Sequence, residues 1–563
     1  MPFLPTNLNE ARDRGWSEID IAIVTGDAYV DHPSFGAAVI GRALESAGYR
    51  VGIIAQPDWR KDEDFLALGR PRLFFGITAG NMDSLVSNYT AQRKKRNNDA
   101  YSPGGQPGLR PDRATIIYAN ALRRLYKGVP LVLGGIEASL RRIAHYDYWQ
   151  DKVRASILSD AKADFLVYGM GESAVLEIAH GLEKGLDSAQ MQDIRGTAVF
   201  SAEPPAQSDI ILSDNLACAD KVTFLRMTRL FEGHHQTEVV FQMNGNRWIR
   251  YNPPAETLSE EALDAVYALP FEYEPHPRYG GQMIPAFEQI KDSLTSHRGC
   301  YGGCNFCAIS VHQGRKIASR SQASILTEAQ NLVRKRGKAL TLTDVGGPTA
   351  NMYASNCSLG WPDSCKRASC LYPKICANLR PGHAPQLELL DKLEATEGIN
   401  RVFIASGIRH DLALRSPRYI EALALKYTGG RLKLAPEHSV PSVLRLLGKP
   451  GIESYEEFAR QYFSLCKKAG LKRQIIPYII IGHPGTTIQD ALELRKWLVA
   501  NRLRVEQVQE FTPTPMTVST CMYYTGLDYW TGQPIHIPKP GEVRRQKELA
   551  LWHLKATEKK TAE

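Results

Sequence analysis

Ser296-His297-Arg298-Gly299-Cys300-Tyr301-Gly302-Gly303-Cys304-Asn305-Phe306-Cys307 places three thiols within eight residues, spaced C-x₃-C-x₂-C. Thiolates are the ligands that iron–sulfur clusters take. A [4Fe–4S] cubane held by three cysteines keeps one iron open, and that iron can chelate a substrate. Gly302 and Gly303 carry no side chains where the loop must wrap closely, and Phe306 offers an aromatic wall. A zinc knuckle is the competing arrangement, because His312 follows Cys307 by five positions and C-x₃-C-x₂-C-x₄-H can close a tetrahedral site. Knuckles sit in small modules. This motif instead follows a candidate strand and opens a long α/β region, which favours the cluster.

Downstream, strands and helices alternate to about Phe511. Candidate strands are Leu340–Asp344, Arg401–Ser406, Arg431–Ala435, Ile475–Ile481 and Glu506–Phe511. With one strand before Cys300 they make six β/α units, which predicts an open, partial barrel over 286–535. The tail, 536–563, is basic and reads as a polar helix after Pro538. Upstream, Tyr273–Pro285 is proline-rich, and 201–285 reads as a connecting segment. Residues 1–200 again alternate strands and helices. Asp20–Thr25, Tyr49–Ala55, Leu73–Thr78, Pro130–Leu133 and Asp164–Tyr168 are the strands, which argues for a Rossmann-like parallel sheet. Ligands of such sheets sit at the carboxyl ends of the strands, where Gly26, Asp27, Thr78, Gly80, Gly134 and Gly135 fall. The stretch Lys94–Arg113 is a long loop, either functional or a surface insertion.

A second group, Cys357, Cys365, Cys370 and Cys376, lies in a proline-broken insertion at 357–376. Its spacing matches no common finger, yet four thiols so close suggest metal, as a second Fe–S cluster or a zinc site. Four unlinked thiols or a redox pair is the plainer reading. Cys218, Cys466 and Cys521 read as ordinary buried thiols. The 563 residues are 43% apolar and carry a formal charge of +9, with basic clusters at Arg93–Arg96 and Arg334–Lys338. That balance is compatible with RNA contact, though a solvated basic surface accounts for it equally. No apolar run approaches the roughly 20 residues that span a membrane, and the start lacks a signal-peptide pattern. A cytoplasmic location follows, and disulfides are not expected there.

The cysteine spacing, with an aromatic before the third cysteine, resembles the radical S-adenosylmethionine (SAM) superfamily. The whole chain is similar to its YgiQ-type branch of uncharacterised proteins. The resemblance rests on GDAYVDHPSFGAAVIGR (26–42), GGIEASLRR (134–142), HYDYW (145–149), YGMGE (168–172), HRGCYGGCNFCAIS (297–310), LTDVGGPTANMY (342–353), LAPEH (434–438) and the segment from Glu510 to Thr525. It implies an α/β chain: a Rossmann-like, cobalamin-binding-like domain followed by a partial (β/α)₆ TIM-type barrel. It further implies that a [4Fe–4S] cluster on Cys300, Cys304 and Cys307 reductively cleaves SAM, and that the resulting 5′-deoxyadenosyl radical takes hydrogen from a substrate. An electron donor such as flavodoxin or ferredoxin is implied as partner.

In that superfamily the cofactor site is built at strand ends. By position this assigns Gly346 and Gly347 to the glycine-rich turn after strand two, Ser406 and Arg409 to strand three, Glu437 and His438 to strand four, and Gly482 to strand five, with Phe306 beside the cluster. Proline stands where an acidic residue usually follows the glycines, and Asp344 is the candidate substitute. Cobalamin-dependent relatives carry D-x-H-x-x-G, whereas here Asp31 and His32 are adjacent and Gly36 lies four after His32. Bound cobalamin is therefore not expected, and His32, His145 and Asp147 are candidates for a substrate pocket instead. The rival functions are a methylthiotransferase-like RNA modifier and a zinc-stabilised RNA-binding protein without catalysis.

Overall fold

Five short apolar runs form the parallel half of one sheet in the first of two units, residues 1–256 with 265–291. The structure is a computed structural model and describes residues 3–337, 339–362, 365–506 and 508–553. The strands are β1 Ile21–Thr25, β2 Val51–Ala55, β3 Phe74–Thr78, β4 Leu131–Gly134 and β5 Phe165–Val167. They pair in the order β2-β1-β3-β4-β5. Every residue of β1 and β2 is buried, as expected where helices cover both faces of a parallel sheet. The stretch expected to be a connector does not stand apart. Beyond β6 Thr197–Phe200, the strands β7 Ile210–Leu212, β8 Val240–Asn244 and β9 Arg247–Tyr251 extend the sheet to nine strands, in the order β5-β6-β9-β8-β7. β7 runs parallel to β8 and the other pairings here are antiparallel; the short, irregular spacing of these strands hid them in the sequence.

Strand order reverses between β1 and β3, the point where such sheets bind ligands. Here the long loop closes it. Arg110 lies 2.8 Å from Asp27 and 3.2 Å from Asp99, all three side chains being buried. Its guanidinium also donates to the Ala79 carbonyl. The loop is therefore anchored through a buried cation rather than draped over the surface. Burial raises Asp27, and Arg110 opposes that rise.

The second unit is 257–264 with 292–563. Its strands are β10 Ser293–Thr295, β11 Leu340–Leu342, β12 Asp344–Gly346, β13 Ile399–Val402, β14 Arg431–Glu437, β15 Gln474–Ile481 and β16 Gln509–Glu510. β10 pairs with β12, and β11 with β13, so β11 and β12 act as one broken strand. Ile408 bridges to Leu434, and β14, β15 and β16 continue in parallel. Six strand positions thus follow chain order around an open barrel. Helices with defined ends separate them. Ser321 caps Gln322–Arg336, which stops at the left-handed Gly337, and Thr487 with Asp490 forms a capping box on Ile488–Ala500.

The expected polar tail is partly structural. Helix Pro540–Ala550 seats Ala550 among Ile479, Ile481, Leu494 and Leu498. The rest of the expected tail, 554–563, lies outside the described residues, as do Lys338, Asp363, Ser364 and Gln507.

Replacing Arg110 by methionine keeps volume but strands two buried carboxylates. We expect a loss of about 3–5 kcal/mol at neutral pH in urea unfolding. The loss should shrink toward about pH 4, where the carboxyls of the unfolded chain take up protons. A loss under about 1 kcal/mol at neutral pH would show that Arg110 does not neutralise these groups.

Candidate metal centre

The loop after β10 is fixed by backbone bonds from several directions. Cys300 N–H donates to the Gly314 carbonyl at 3.1 Å, and Gly299 N–H to Gln313 Oε1 at 3.2 Å. Asn305 donates from its backbone to Leu447 at 3.0 Å and from its side chain to Leu446 at 2.9 Å. Ser519 N–H returns a bond to the Asn305 carbonyl at 2.9 Å. Cys307 N–H closes on the Cys304 carbonyl at 3.1 Å, a tight turn that brings these two cysteines together. Phe306 packs against Val443, Leu447 and Ile480.

Two of the thiols, Cys300 and Cys304, face a common spot. A methyl group added at Gly302 would stand 3.3 Å from Cys300 Sγ, 3.9 Å from Cys304 Sγ and 3.6 Å from Arg409 Nη1. Glycine therefore leaves room that any side chain would fill. Arg409 Nη1 donates to Cys304 Sγ at 3.5 Å, and Thr349 Oγ1 lies 3.5 Å from Cys300 Sγ. Burial raises the Cys300 thiol; burial, then the nearby Cys304, pushes Cys307 up to about 12. Such thiols ionise only if a cation joins them. Among the described residues, no group of three or more His, Cys, Asp or Glu side chains is arranged to hold a single metal ion. A cubane is gripped from outside, one thiolate per iron, and the half-buried Cys300 and Cys304 thiols around the space beside Gly302 fit it by donor type.

Arg409 is 6% exposed and itself needs support. It forms a two-pronged ion pair with Asp411, at 2.9 and 2.7 Å. Asn351 brackets its peptide, accepting from Arg409 N–H at 2.9 Å and donating to its carbonyl at 3.0 Å. Burial works against the Arg409 charge, but Asp411 and the cysteines Cys304 and Cys300 outweigh it.

The other strand-end residues fall as follows. Asp344 accepts from the Ala405 and Ser406 amides at 2.8 and 3.0 Å and from the Ser406 hydroxyl, so its carboxylate joins β12 to the chain after β13. The Gly346 carbonyl accepts from Ser296 N–H at 2.7 Å. A Cβ at Gly347 would lie 2.6 Å from the His297 ring and 2.7 Å from its carbonyl, so only glycine lets the two strand ends approach. Glu437 ends β14 at φ 68°, a left-handed conformation that is strained for a side-chain-bearing residue. It is 7% exposed, its carboxyl is raised by burial, and Lys449 Nζ lies 3.7 Å away. His438 accepts from Val440 N–H at 3.1 Å, and burial lowers it to about 4, so it is neutral. Gly482 N–H is taken by Gln546 Oε1 at 2.8 Å, inside the last helix's contact.

In the first unit, His32 accepts from Ser34 N–H at 3.1 Å and packs edge-on to Tyr273 and Phe287. His145 is buried against the Ile143 carbonyl and lowered to about 3, and Asp147 accepts from Arg113 at 2.7 Å. These are locally paired groups. Thr349, Asn351 and Lys449 escaped the sequence reading. The first two lie in a string whose glycines drew the attention, and nothing before the fold marks Lys449 as buried. Cys218, Cys466 and Cys521 are buried, as expected.

Family comparison agrees with this layout. The model described as Radical SAM N-terminal matches residues 3–293, Radical SAM superfamily matches 294–498, and a domain of unknown function (DUF3362) matches 506–551. A UPF0313 protein of Geobacter sulfurreducens is 50% identical over 98% of this chain and 93% of its own. One from Thermotoga maritima is 46% identical over 99% and 100%. Among solved structures, the radical SAM methyltransferase TsrM from Kitasatospora setae, with cobalamin and a [4Fe–4S] cluster bound, superposes at TM-score 0.53. That match is 15% identical and covers 95% of this chain and 90% of that one, which speaks to the fold. The chain therefore has an N-terminal cobalamin-binding-like domain and a radical SAM barrel.

Gly347→Ala should lower the urea-unfolding stability by about 1–3 kcal/mol, the usual cost of overpacking. Gly407→Ala, where an added Cβ meets nothing within 4 Å, is the control and should shift it by under about 0.5 kcal/mol. Equal effects at the two positions would contradict the close approach of Gly347 to His297.

Proposed function

The chain belongs to the UPF0313 family, and we propose that Cys300, Cys304 and Cys307 hold its [4Fe–4S] cluster for cleavage of SAM and radical attack on a substrate. Membership of the radical SAM superfamily makes it an enzyme that uses a [4Fe–4S] cluster and SAM. The observation that carries the residue assignment is the gathering of the Cys300 and Cys304 sulfurs and the Arg409 guanidinium beside Gly302. When bound, the cluster supplies an open iron for the amino and carboxylate groups of SAM and one electron that breaks the sulfonium–ribose bond.

The chain's own residues hold and shield that chemistry. Arg409 offsets thiolate charge at Cys304 and is aimed by Asp411 and Asn351. Phe306, next to Cys307 in the chain, packs on Val443, Leu447 and Ile480 and so anchors the end of the cysteine loop. Ser406, Gly346 and Gly347 form one strand-end surface, and Glu437 with His438 another, at which SAM or substrate is oriented. Gly482 has given its amide to Gln546, so its contribution is to shape rather than to hydrogen bonding.

We infer that cobalamin is not this chain's cofactor, from what occupies the strand ends of the first unit. Arg110, Asp27 and Asp99 fill the strand ends of the first unit, and His32 lies against Tyr273 and Phe287. We place the enzyme in the cytoplasm, with a flavodoxin- or ferredoxin-class donor supplying the electron. Among the described residues no helix is long and apolar enough to cross a membrane. Metabolite and RNA-modification profiles of a deletion strain separate a small-molecule substrate from an RNA one.

Anaerobically prepared protein should form 5′-deoxyadenosine from SAM with dithionite. Cys300→Ala, Cys304→Ala and Cys307→Ala should each reduce that product to the protein-free background. Unchanged product in any one of them, or one zinc and no iron in the native protein, contradicts the assignment.

A further inference from the structure

The segment from Glu510 to Thr525 leaves the last barrel strand and lies in the stretch matched by the domain of unknown function. It turns back onto the cysteine loop. Phe511 and Phe306 pack on the same apolar cluster of Val443, Leu447 and Ile480. Met516 then bends the chain at φ 65°, a left-handed conformation strained for a residue with a side chain. Thr517 caps the helix Val518–Thr525 by accepting from Thr520 N–H, and the Thr520 hydroxyl donates to the Thr514 carbonyl at 2.6 Å. This turn sets Ser519, which is fully buried, between two separate parts of the barrel. Ser519 N–H donates to the Asn305 carbonyl at 2.9 Å, inside the turn between Cys304 and Cys307. Ser519 Oγ lies 2.6 Å from His483 Nε2, two residues past the end of β15. The direction of that second bond follows from the ring. Burial lowers His483 to about 3, so the imidazole is neutral and carries one N–H. Its Nδ1 lies 2.8 Å from the Pro484 carbonyl, which can only accept. The proton therefore sits on Nδ1, and Nε2 accepts from the Ser519 hydroxyl. Other parts of the C-terminal stretch grip the same strand end. Gly485 N–H donates to the His536 carbonyl at 2.7 Å, and Gln546 Nε2 donates to the Thr486 carbonyl at 3.3 Å.

We propose that Ser519 is a positioning residue for SAM cleavage: it locks the turn between Cys304 and Cys307 to the end of β15, and the segment 510–525 is the brace that carries it. This role rests on the reading of the three cysteines as cluster ligands and of the strand ends as the SAM surface. SAM has to meet both at once, with its amino and carboxylate groups at the open iron and the rest of the molecule along the strand ends. A site made of two parts depends on their register, and a misplacement of about 1 Å costs up to about 100-fold. Ser519 sets that register through Asn305 and His483, with its amide on one part and its hydroxyl on the other. Removing the hydroxyl leaves His483 Nε2 buried without its donor, which favours a shifted ring and a loosened strand end.

Full-length Ser519→Ala, reconstituted anaerobically with iron and sulfide, is compared with wild type and with Thr525→Val. Thr525 is a buried residue of the same helix whose hydroxyl donates to the Cys521 carbonyl at 2.8 Å, within that helix. Iron and sulfide content, the electron paramagnetic resonance of the reduced cluster during a SAM titration, and 5′-deoxyadenosine formation at saturating SAM are measured. Ser519→Ala should keep its iron and its SAM-free spectrum, while the SAM concentration that half-saturates the spectral change rises about 5–20-fold. Its rate at saturating SAM should fall by less than about threefold, the pattern of lost alignment in binding. Thr525→Val should stay within about twofold of wild type in half-saturation. Adding Ser519→Ala to His483→Phe should raise half-saturation by under about twofold more, because the hydroxyl then has no acceptor. If His483→Phe loses its fold by circular dichroism, Ser519→Ala and Thr525→Val decide alone. Half-saturation of Ser519→Ala within about twofold of wild type, an equal rise in Thr525→Val, or loss of iron from folded Ser519→Ala overturns the proposal. A wild-type cluster that does not respond to SAM would instead sink the reading of the three cysteines, and the role of Ser519 with it.

Discussion

A thiol packed among other thiols resists ionisation, because each thiolate charge would repel the next in a medium that screens poorly. Cys300 and Cys307 are both raised by burial, and the loop backbone is bonded too tightly for the sulfurs to move apart. Iron relieves this arrangement by replacing protons with positive charge. The rest of the centre is organised around that requirement. Arg409 brings one fixed charge to Cys304, and because it is buried it must in turn be held by Asp411 and Asn351. Removing any partner would leave an uncompensated buried group.

The two α/β units treat their strand ends in opposite ways. In the first, the place where sheet order reverses is closed by Arg110 between Asp27 and Asp99, and the long loop that delivers Arg110 is thereby anchored. In the second, the strand ends carry polar groups brought close by glycine, as at Gly347 and His297, or held in an unfavourable backbone conformation, as at Glu437. Strain at Glu437 is sustained by its ion pair with Lys449 and by the surrounding packing. The first unit uses burial of charge to stabilise a scaffold, and the second uses it to prepare a site.

Much of this was legible before the structure. Alternating apolar runs located all five parallel strands and the six barrel positions, since fully buried strands leave unbroken Val, Ile and Leu signals. The cysteine spacing located the centre. The strands from Ile210 to Tyr251 were not legible, because these short strands mix polar and apolar residues without a clean period. Helix Pro540–Ala550 looked like a polar tail because it is polar on most faces and docks through few side chains, Leu549 and Ala550 among them. Lys449 and Arg110 carry their roles through partners far away in sequence, which no local pattern encodes. Gly482 looked like an open backbone edge, and only the fold shows Gln546 occupying its amide.

The central claim is that three protein thiolates leave one iron of the cluster open to SAM. Electron paramagnetic resonance of the dithionite-reduced protein, recorded with and without SAM, tests it most directly. The account predicts that SAM shifts the g-values of the reduced cluster, because its amino and carboxylate groups enter the coordination of the open iron. A spectrum identical in both samples, from protein shown to contain the reduced cluster, would contradict it.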